Sequence, residues 1–128
     1  MRILLDTHAL LWMLLEPTKL SKKVRTLLTN PNTEVLVSSA TAWEIATKYR
    51  LGKLDQASEV VRSYHEHLRT ALATELAISG THALLAGSFK NAHKDPFDRL
   101  IAAQGTLEAI PVVSNDRAFD DFPVALLW

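Results

Sequence analysis

At 128 residues the chain is long enough for one domain with a buried core and too short for two, and its 48% hydrophobic and 22% charged residues are those of an ordinary soluble globular protein. The absence of cysteine excludes disulfides, thiolate metal sites and cysteine nucleophiles, and it fits a reducing cytoplasm. Zero formal net charge argues against a general nucleic-acid coat protein, although residues 1–53 hold eight Lys/Arg against four Asp/Glu and residues 54–128 hold six against ten.

Ile3-Leu4-Leu5 is a short apolar run that reads as a strand ending at Asp6, after which Thr7 caps a helix through Leu15 that stops near Pro17. The apolar run from Ala9 to Leu15 is far below the roughly 20 residues of a membrane span. With Asp6 and His8 interrupting it and no small-residue cleavage site following, the N-terminus is not read as a secretory signal, and the mature protein is expected to begin with the sequence. Ser21 caps a second amphipathic helix to about Asn30, with Val24, Leu27 and Leu28 on one buried face, and Asn30-Pro31-Asn32 is a turn. Glu34 to Ser38 favours a strand, and Thr41 opens a helix that Gly52 closes. Asp55 is expected to start the longest helix, to around Ala73, and Glu75 to Ile78 a brief strand. After Ser79-Gly80 come an Ala- and Leu-rich helix and a polar stretch, Lys90 to Lys94. Asp95-Pro96 then marks a helix start, with Asp95 at the N-cap, Pro96 at the first helical position and Asp98 at the third. Ile110 to Val113 is a strand, Asn115-Asp116-Arg117 leads into a single turn around Phe119, and Val124 to Leu127 is a last strand. Alternating strands and helices imply a central parallel sheet covered on both faces, a three-layer α/β/α arrangement.

In such sheets ligands gather beyond the carboxyl ends of the strands. Asp6 directly follows the first strand, Asp116 follows Ile110 to Val113 after two polar residues, Glu44 lies in the helix after Val35, and Asp98 lies in the first turn of its own helix. These four carboxylates are therefore expected to converge on one rim. Two like charges about 4 Å apart repel by roughly 4 kcal/mol at an effective dielectric near 20, so such a nest needs a counter-charge. Hard oxygen donors without thiols favour Mg²⁺ or Mn²⁺ over zinc. Divalent ions so held support hydrolysis of phosphodiesters by water without a covalent intermediate.

Each acid also has a structural reading. Asp6 could help cap the following helix, Asp98 could pair in a capping box beside the helix dipole, and Asp116 could be a turn residue like Asp120 and Asp121. Glu44 stands four residues before Lys48, a favourable helix-surface pair, and a helical wheel sets Glu44, Thr47 and Lys48 opposite Ile45, Ala46 and Tyr49, which describes a solvated face. The histidines lack metal-ligand spacing: His65 and His67 point to different faces, and His8, His82 and His93 are expected to be solvated or locally bonded. Trp12, Trp43, Phe97 and Phe119 read as core or interface residues. Lys22, Lys23, Arg25, Lys48, Arg50 and Lys53 are equally suited to binding phosphate and to keeping the protein soluble. Neither GxGxxG nor a P-loop occurs.

The stretches Leu4-Leu5-Asp6-Thr7-His8-Ala9-Leu10-Leu11-Trp12, Ser38-Ser39-Ala40-Thr41-Ala42-Trp43-Glu44-Ile45, Lys48-Tyr49-Arg50-Leu51-Gly52-Lys53-Leu54, His93 to Gln104 and Val113-Ser114-Asn115-Asp116 together resemble the PIN-domain ribonucleases, and among them the VapC-type toxins of bacterial toxin–antitoxin pairs. They run in family order across nearly the whole chain. The resemblance implies a single PIN domain over residues 1–128 and a metal site of Asp6, Glu44, Asp98 and Asp116, the last being the least uniformly required in the family. It matches Ser114 to a Ser/Thr position that orients a carboxylate or water, while Asp95 reads as a helix cap. It further implies magnesium-dependent endoribonuclease activity on an RNA substrate, a homodimer, a cognate antitoxin that covers the acidic pocket, and a cytoplasmic location away from membranes. A catalytically silent RNA-binding or partner-binding domain is the alternative, which the retained quartet disfavours. A haloacid-type phosphatase is ranked low because Asp6-Thr7-His8 lacks the second aspartate two positions on.

Overall fold

The computed structural model describes residues 1–91 and 93–128; Ala92, in the expected polar stretch Lys90 to Lys94, lies outside the described residues. Five strands, β1 (Arg2–Leu5), β2 (Glu34–Ser38), β3 (Ala73–Leu76), β4 (Val112–Val113) and β5 (Leu126–Leu127), form one parallel sheet in the order β3-β2-β1-β4-β5. The helices are α1 (Thr7–Leu15), α2 (Lys22–Thr29), α3 (Ser39–Arg50), α4 (Ser58–Arg62), α5 (Tyr64–Thr70), α6 (Gly80–Ser88) and α7 (Pro96–Glu108).

Strand alternation divides the core between the two faces of the sheet. Ile3, Leu5, Val35 and Val37 pack with Leu10, Val24, Ile45, Val60 and Leu68 from helices α1 to α5. Leu4, Leu36 and Val112 point the other way, onto Ile101 and Ala102 of α7 and onto Phe119 and Phe122. Strands β1, β2 and β4 carry short buried apolar runs because both of their faces are covered, whereas the edge strand β3 is half-exposed, and the result is the expected three-layer α/β/α fold. The chain builds outward from β1 through β2 to β3 and then returns to β4 on the other side of β1, so the crevice between the carboxyl ends of β1 and β4 is the topological switch point.

Several boundaries differ from the sequence expectation. Asp6, not Thr7, caps α1, accepting a 2.7 Å hydrogen bond from the Ala9 amide. Likewise Ser38, not Thr41, caps α3 through the Ala40 amide at 3.0 Å. Gly52, at φ 76°, ends α3 as expected; its amide reaches the Tyr49 carbonyl and that of Lys53 the Lys48 carbonyl, the two bonds of a Schellman turn. The long helix expected from Asp55 to Ala73 is instead a 3₁₀ turn, Asp55–Ala57, followed by α4 and α5 with a break at Ser63. Ser63 is a weak helix former that follows Glu59-Val60-Val61-Arg62, in which adjacent β-branched residues lose rotamer freedom. The longest helix is accordingly α7. The third strand begins at Ala73 instead of Glu75.

The strand expected from Ile110 shortens to Val112–Val113 because the Ile110 amide is used by the preceding helix. Ala109 adopts φ 54°, and Ile110 donates to the Gly105 carbonyl at 2.9 Å, closing α7, while Pro111 has no amide to give. Gly105 sits under this turn: a methyl group there would lie 2.8 Å from Val124 Cγ2, 2.9 Å from Val112 Cγ2 and 3.0 Å from the Ile110 carbonyl. We expect Gly105→Ala to lower unfolding free energy by about 1–2 kcal/mol, overpacking outweighing the better helix propensity of alanine, as read from urea denaturation. Equal or greater stability in the variant would refute that packing argument.

Candidate active site

The site is built where α1 and α3 begin, just beyond the ends of β1 and β2. An apolar strand buried on both faces delivers Asp6 to the sheet rim with only 4% exposure. Thr7, the first helical residue, turns its hydroxyl to Glu44 of α3, donating to Oε1 at 2.5 Å, with Thr41 Oγ1 3.3 Å from the same hydroxyl. Glu44 is 3% exposed, so the solvated face expected from the helical wheel is corrected: the face carrying Thr41 and Glu44 is buried, and Trp43 and Ala46 face outward. The wheel gave no weight to Thr7 and Thr41, whose hydroxyls make that burial tolerable. The other Glu44 oxygen, Oε2, receives the Lys48 ammonium one turn along α3.

Asp98 enters from α7. Asp95 caps this helix as expected, accepting from the amides of Phe97 at 2.8 Å and Asp98 at 3.3 Å. The cap fixes Asp98 in the first turn, where its Oδ2 lies 2.9 Å from His93 Nε2. His93 is in turn tethered by Arg99, which donates to the His93 carbonyl at 2.8 Å, to Asn91 Oδ1 at 3.1 Å, and to the carbonyls of Ala86 and Phe89 at 2.9 and 2.6 Å. Sequence reasoning left His93 locally bonded without naming its partner, and it missed Arg99. The five-residue spacing from His93 to Asp98 crosses a non-helical segment, and no periodicity rule reads such a pair.

The electrostatics join three of the acids. Burial raises the Asp6 pKa, opposed by the Ser114 hydroxyl, the Ala9 amide and His8, and Glu44 adds a further upward push. Burial likewise lifts Asp98 to about 6, against the His93 hydrogen bond, with Asp95 and Glu44 raising it further. Glu44 therefore lies in the field of both aspartates. Asp116 stands apart: it is exposed, and its Oδ1 caps the 3₁₀ turn Arg117–Asp121 through the Ala118 amide at 2.9 Å. Its link to the other acids runs through buried Ser114, whose Oγ accepts from the Asp116 amide at 3.0 Å and which also acts on Asp6. Among the described residues, no three Asp, Glu or His side chains are spaced to grip one ion. The donor chemistry nevertheless suits a hard divalent cation, since every acid supplies carboxylate oxygen.

The aromatic residues divide by location. Phe119 is core, whereas Trp43, 56% exposed, lies edge-on to Phe97 at 4.6 Å, beside Glu44 and Asp98 in sequence. Trp12 packs edge-on against Trp128 at 5.7 Å. His82 is a buried capping partner for Ser79, which fits the expectation of local bonding, and it also meets Glu108, 26 residues on in sequence, at 3.0 Å. Among the described residues, no helix is long and apolar enough to cross a membrane.

Comparison with known proteins places the fold. Residues 3–125 match the family model of the PIN domain. Among solved structures, VapBC2 from Rickettsia felis, bound to a DNA fragment from its promoter, matches with a TM-score of 0.69 at 20% identity over 99% of this chain and 98% of that one. VapBC-1 from nontypeable Haemophilus influenzae matches with a TM-score of 0.67 at 17% identity, covering 99% and 97%. FitAcB from Neisseria gonorrhoeae matches with a TM-score of 0.60 at 20% identity, covering 98% and 96%. No curated protein sequence matches the chain. The chain belongs to the PIN-domain family, a family of nucleases, and shares the fold of its VapC-type toxins.

Proposed function

We propose that residues 1–128 act as a single PIN domain, a magnesium-dependent endoribonuclease that serves in the cytoplasm as the toxin of a toxin–antitoxin pair. The observation that carries this reading is the burial of Glu44 in the field of two aspartates whose pKa values are both raised, more negative charge than the one lysine on Glu44 offsets. Membership of a nuclease family supports hydrolysis of a phosphodiester, and the likeness to VapBC and FitAcB structures supports a cognate antitoxin; a homodimer is proposed on the resemblance alone.

In this proposal Asp6, Glu44 and Asp98 hold Mg²⁺, with Mn²⁺ as a substitute, and Asp116 joins from the rim through Ser114. Once bound, such an ion supplies charge stabilisation for the phosphate and a more acidic water. The protein contributes orientation. The Ala9 amide and Ser114 fix Asp6, the Thr7 hydroxyl fixes Glu44, and His93, tethered by Arg99, fixes Asp98. Preset ligands of this kind lower the reorganisation that the transition state would otherwise require.

The test is cleavage of end-labelled structured RNA by purified protein. We expect internal cuts with Mg²⁺ or Mn²⁺ and none with EDTA. Cleavage that persists undiminished in EDTA would refute the metal requirement, and a protein that binds RNA without cutting it under any divalent ion would refute the enzymatic reading.

A further inference from the structure

Glu44 is buried, and both of its oxygens already have partners: Oε1 takes the Thr7 hydroxyl and Oε2 takes the Lys48 ammonium. Burying a carboxylate as an anion is costly unless an opposite charge stands beside it. Lys48 supplies it from one turn away, with the acid on the N-terminal side, the better orientation for an i,i+4 pair. The pair is not an ordinary surface bridge, because the acid's side chain is 4% exposed and the base's 32%. Asp95 and Asp98 also lie in the field of the same ammonium. One tethered cation thus acts on Glu44, Asp95 and Asp98 together.

We infer that Lys48 is a built-in competitor of the divalent cation: its ammonium holds Glu44 in the metal-free protein and must release Oε2 before an ion can use it. The inference rests on the divalent reading proposed above and concerns how this chain tunes it. An ammonium on Oε2 opposes a dication twice, by occupying the donor oxygen and by repelling positive charge nearby. Lys48 can also withdraw, since its stem is flexible and its side chain is 32% exposed. The exchange explains how a buried acid is paired and correctly placed before any ion is present. It also sets metal affinity below what the bare carboxylates would give.

The experiment is calorimetric titration of Mn²⁺ into metal-stripped full-length protein, comparing wild type with Lys48→Met, Lys48→Gln and Lys48→Arg, alongside melting curves without metal. We expect Mn²⁺ to bind about tenfold more tightly to Lys48→Met and Lys48→Gln, an energy of about 1.4 kcal/mol, and within about twofold of wild type in Lys48→Arg. The metal-free melting temperature should fall in the first two variants and recover with Mn²⁺. Binding gained by them where wild type shows none supports the inference as well. If Lys48→Met does not fold, Lys48→Gln carries the comparison. Equal or weaker Mn²⁺ binding in these variants, with wild type binding normally, overturns the competitor role and leaves the divalent reading intact. No Mn²⁺ binding by any of the four proteins overturns the divalent reading itself and the inference with it.

Discussion

Asp6→Asn is expected to reduce RNA cleavage in Mg²⁺ by at least about a hundredfold while leaving the protein folded, the scale of loss when one preorganised transition-state contact is removed. The substitution separates two roles that coincide in this residue. Asp6 caps α1 through a 2.7 Å bond from the Ala9 amide, and asparagine is as good a cap as aspartate, so the helix start survives. What disappears is a negative charge beside Glu44, and only the proposed metal site requires that charge. Asp6→Ala would confound the two by removing the cap as well, at a further cost of about 1 kcal/mol. Rates measured on a labelled RNA, with circular dichroism to check folding, decide the matter. A folded Asp6→Asn protein that cuts as fast as wild type would reduce Asp6 to a helix cap.

Asp98 carries the second large expectation, and here the observable is stability. Its pKa lies at about 6 in the folded protein against 3.8 unperturbed, so between those values the native state binds more protons than the unfolded chain. Stability without metal should therefore fall as pH rises from about 4 to 6 and stay low above that range, the reverse of the usual salt-bridged carboxylate. We expect Asp98→Asn to flatten this decline and to melt several degrees higher than wild type in EDTA at pH 7.5, a gain on the order of 1–2 kcal/mol. The His93 contact persists, because the amide oxygen still accepts from Nε2. Added Mg²⁺ should stabilise wild type more than the variant, since binding to the native state is what raises its melting point. Thermal melts at pH 5 and 7.5, with EDTA or Mg²⁺, give all four comparisons. Identical melting of the two proteins throughout would show that Asp98 carries no electrostatic burden.

The two expectations draw on different kinds of legibility. Asp6 and Asp98 were marked by local signals, a polar residue ending an apolar run and an Asp95-Pro96 helix start, and both lie where those signals put them. Layer order followed equally from alternating runs, because burial on both faces leaves strands no polar positions within the core. Glu44 was harder. A wheel reports which side of a helix is apolar, yet the Glu44 side is buried against Thr7 of another helix, a contact between residues 37 apart in sequence. The break at Ser63 escaped for a related reason: Val60, Tyr64 and Leu68 keep helical spacing across it, and only local backbone preference divides α4 from α5. Strand β4 came out short because the Ile110 amide closes α7, a competition between neighbouring elements that hydrophobicity does not register.

One linked arrangement emerges from these residues. The topological switch point offers the crevice, the ends of β1 and β2 bring Asp6 and α3 to it, and α7 adds Asp98 through a capped first turn. Thr7, Lys48, His93 and Ser114 hold the acids in place, and in the proposed site a divalent cation would relieve their repulsion. Asp116, exposed and engaged in its own turn, is the member whose replacement should matter least.

The claim on which all of this depends is that Asp6, Glu44 and Asp98 share one divalent ion. Anomalous diffraction from crystals soaked in Mn²⁺ addresses it without recourse to activity. We expect a single strong peak bounded by oxygens of these three side chains, with Lys48 turned away from Glu44. Manganese bound elsewhere, or no peak while Glu44 keeps its lysine, would contradict the account.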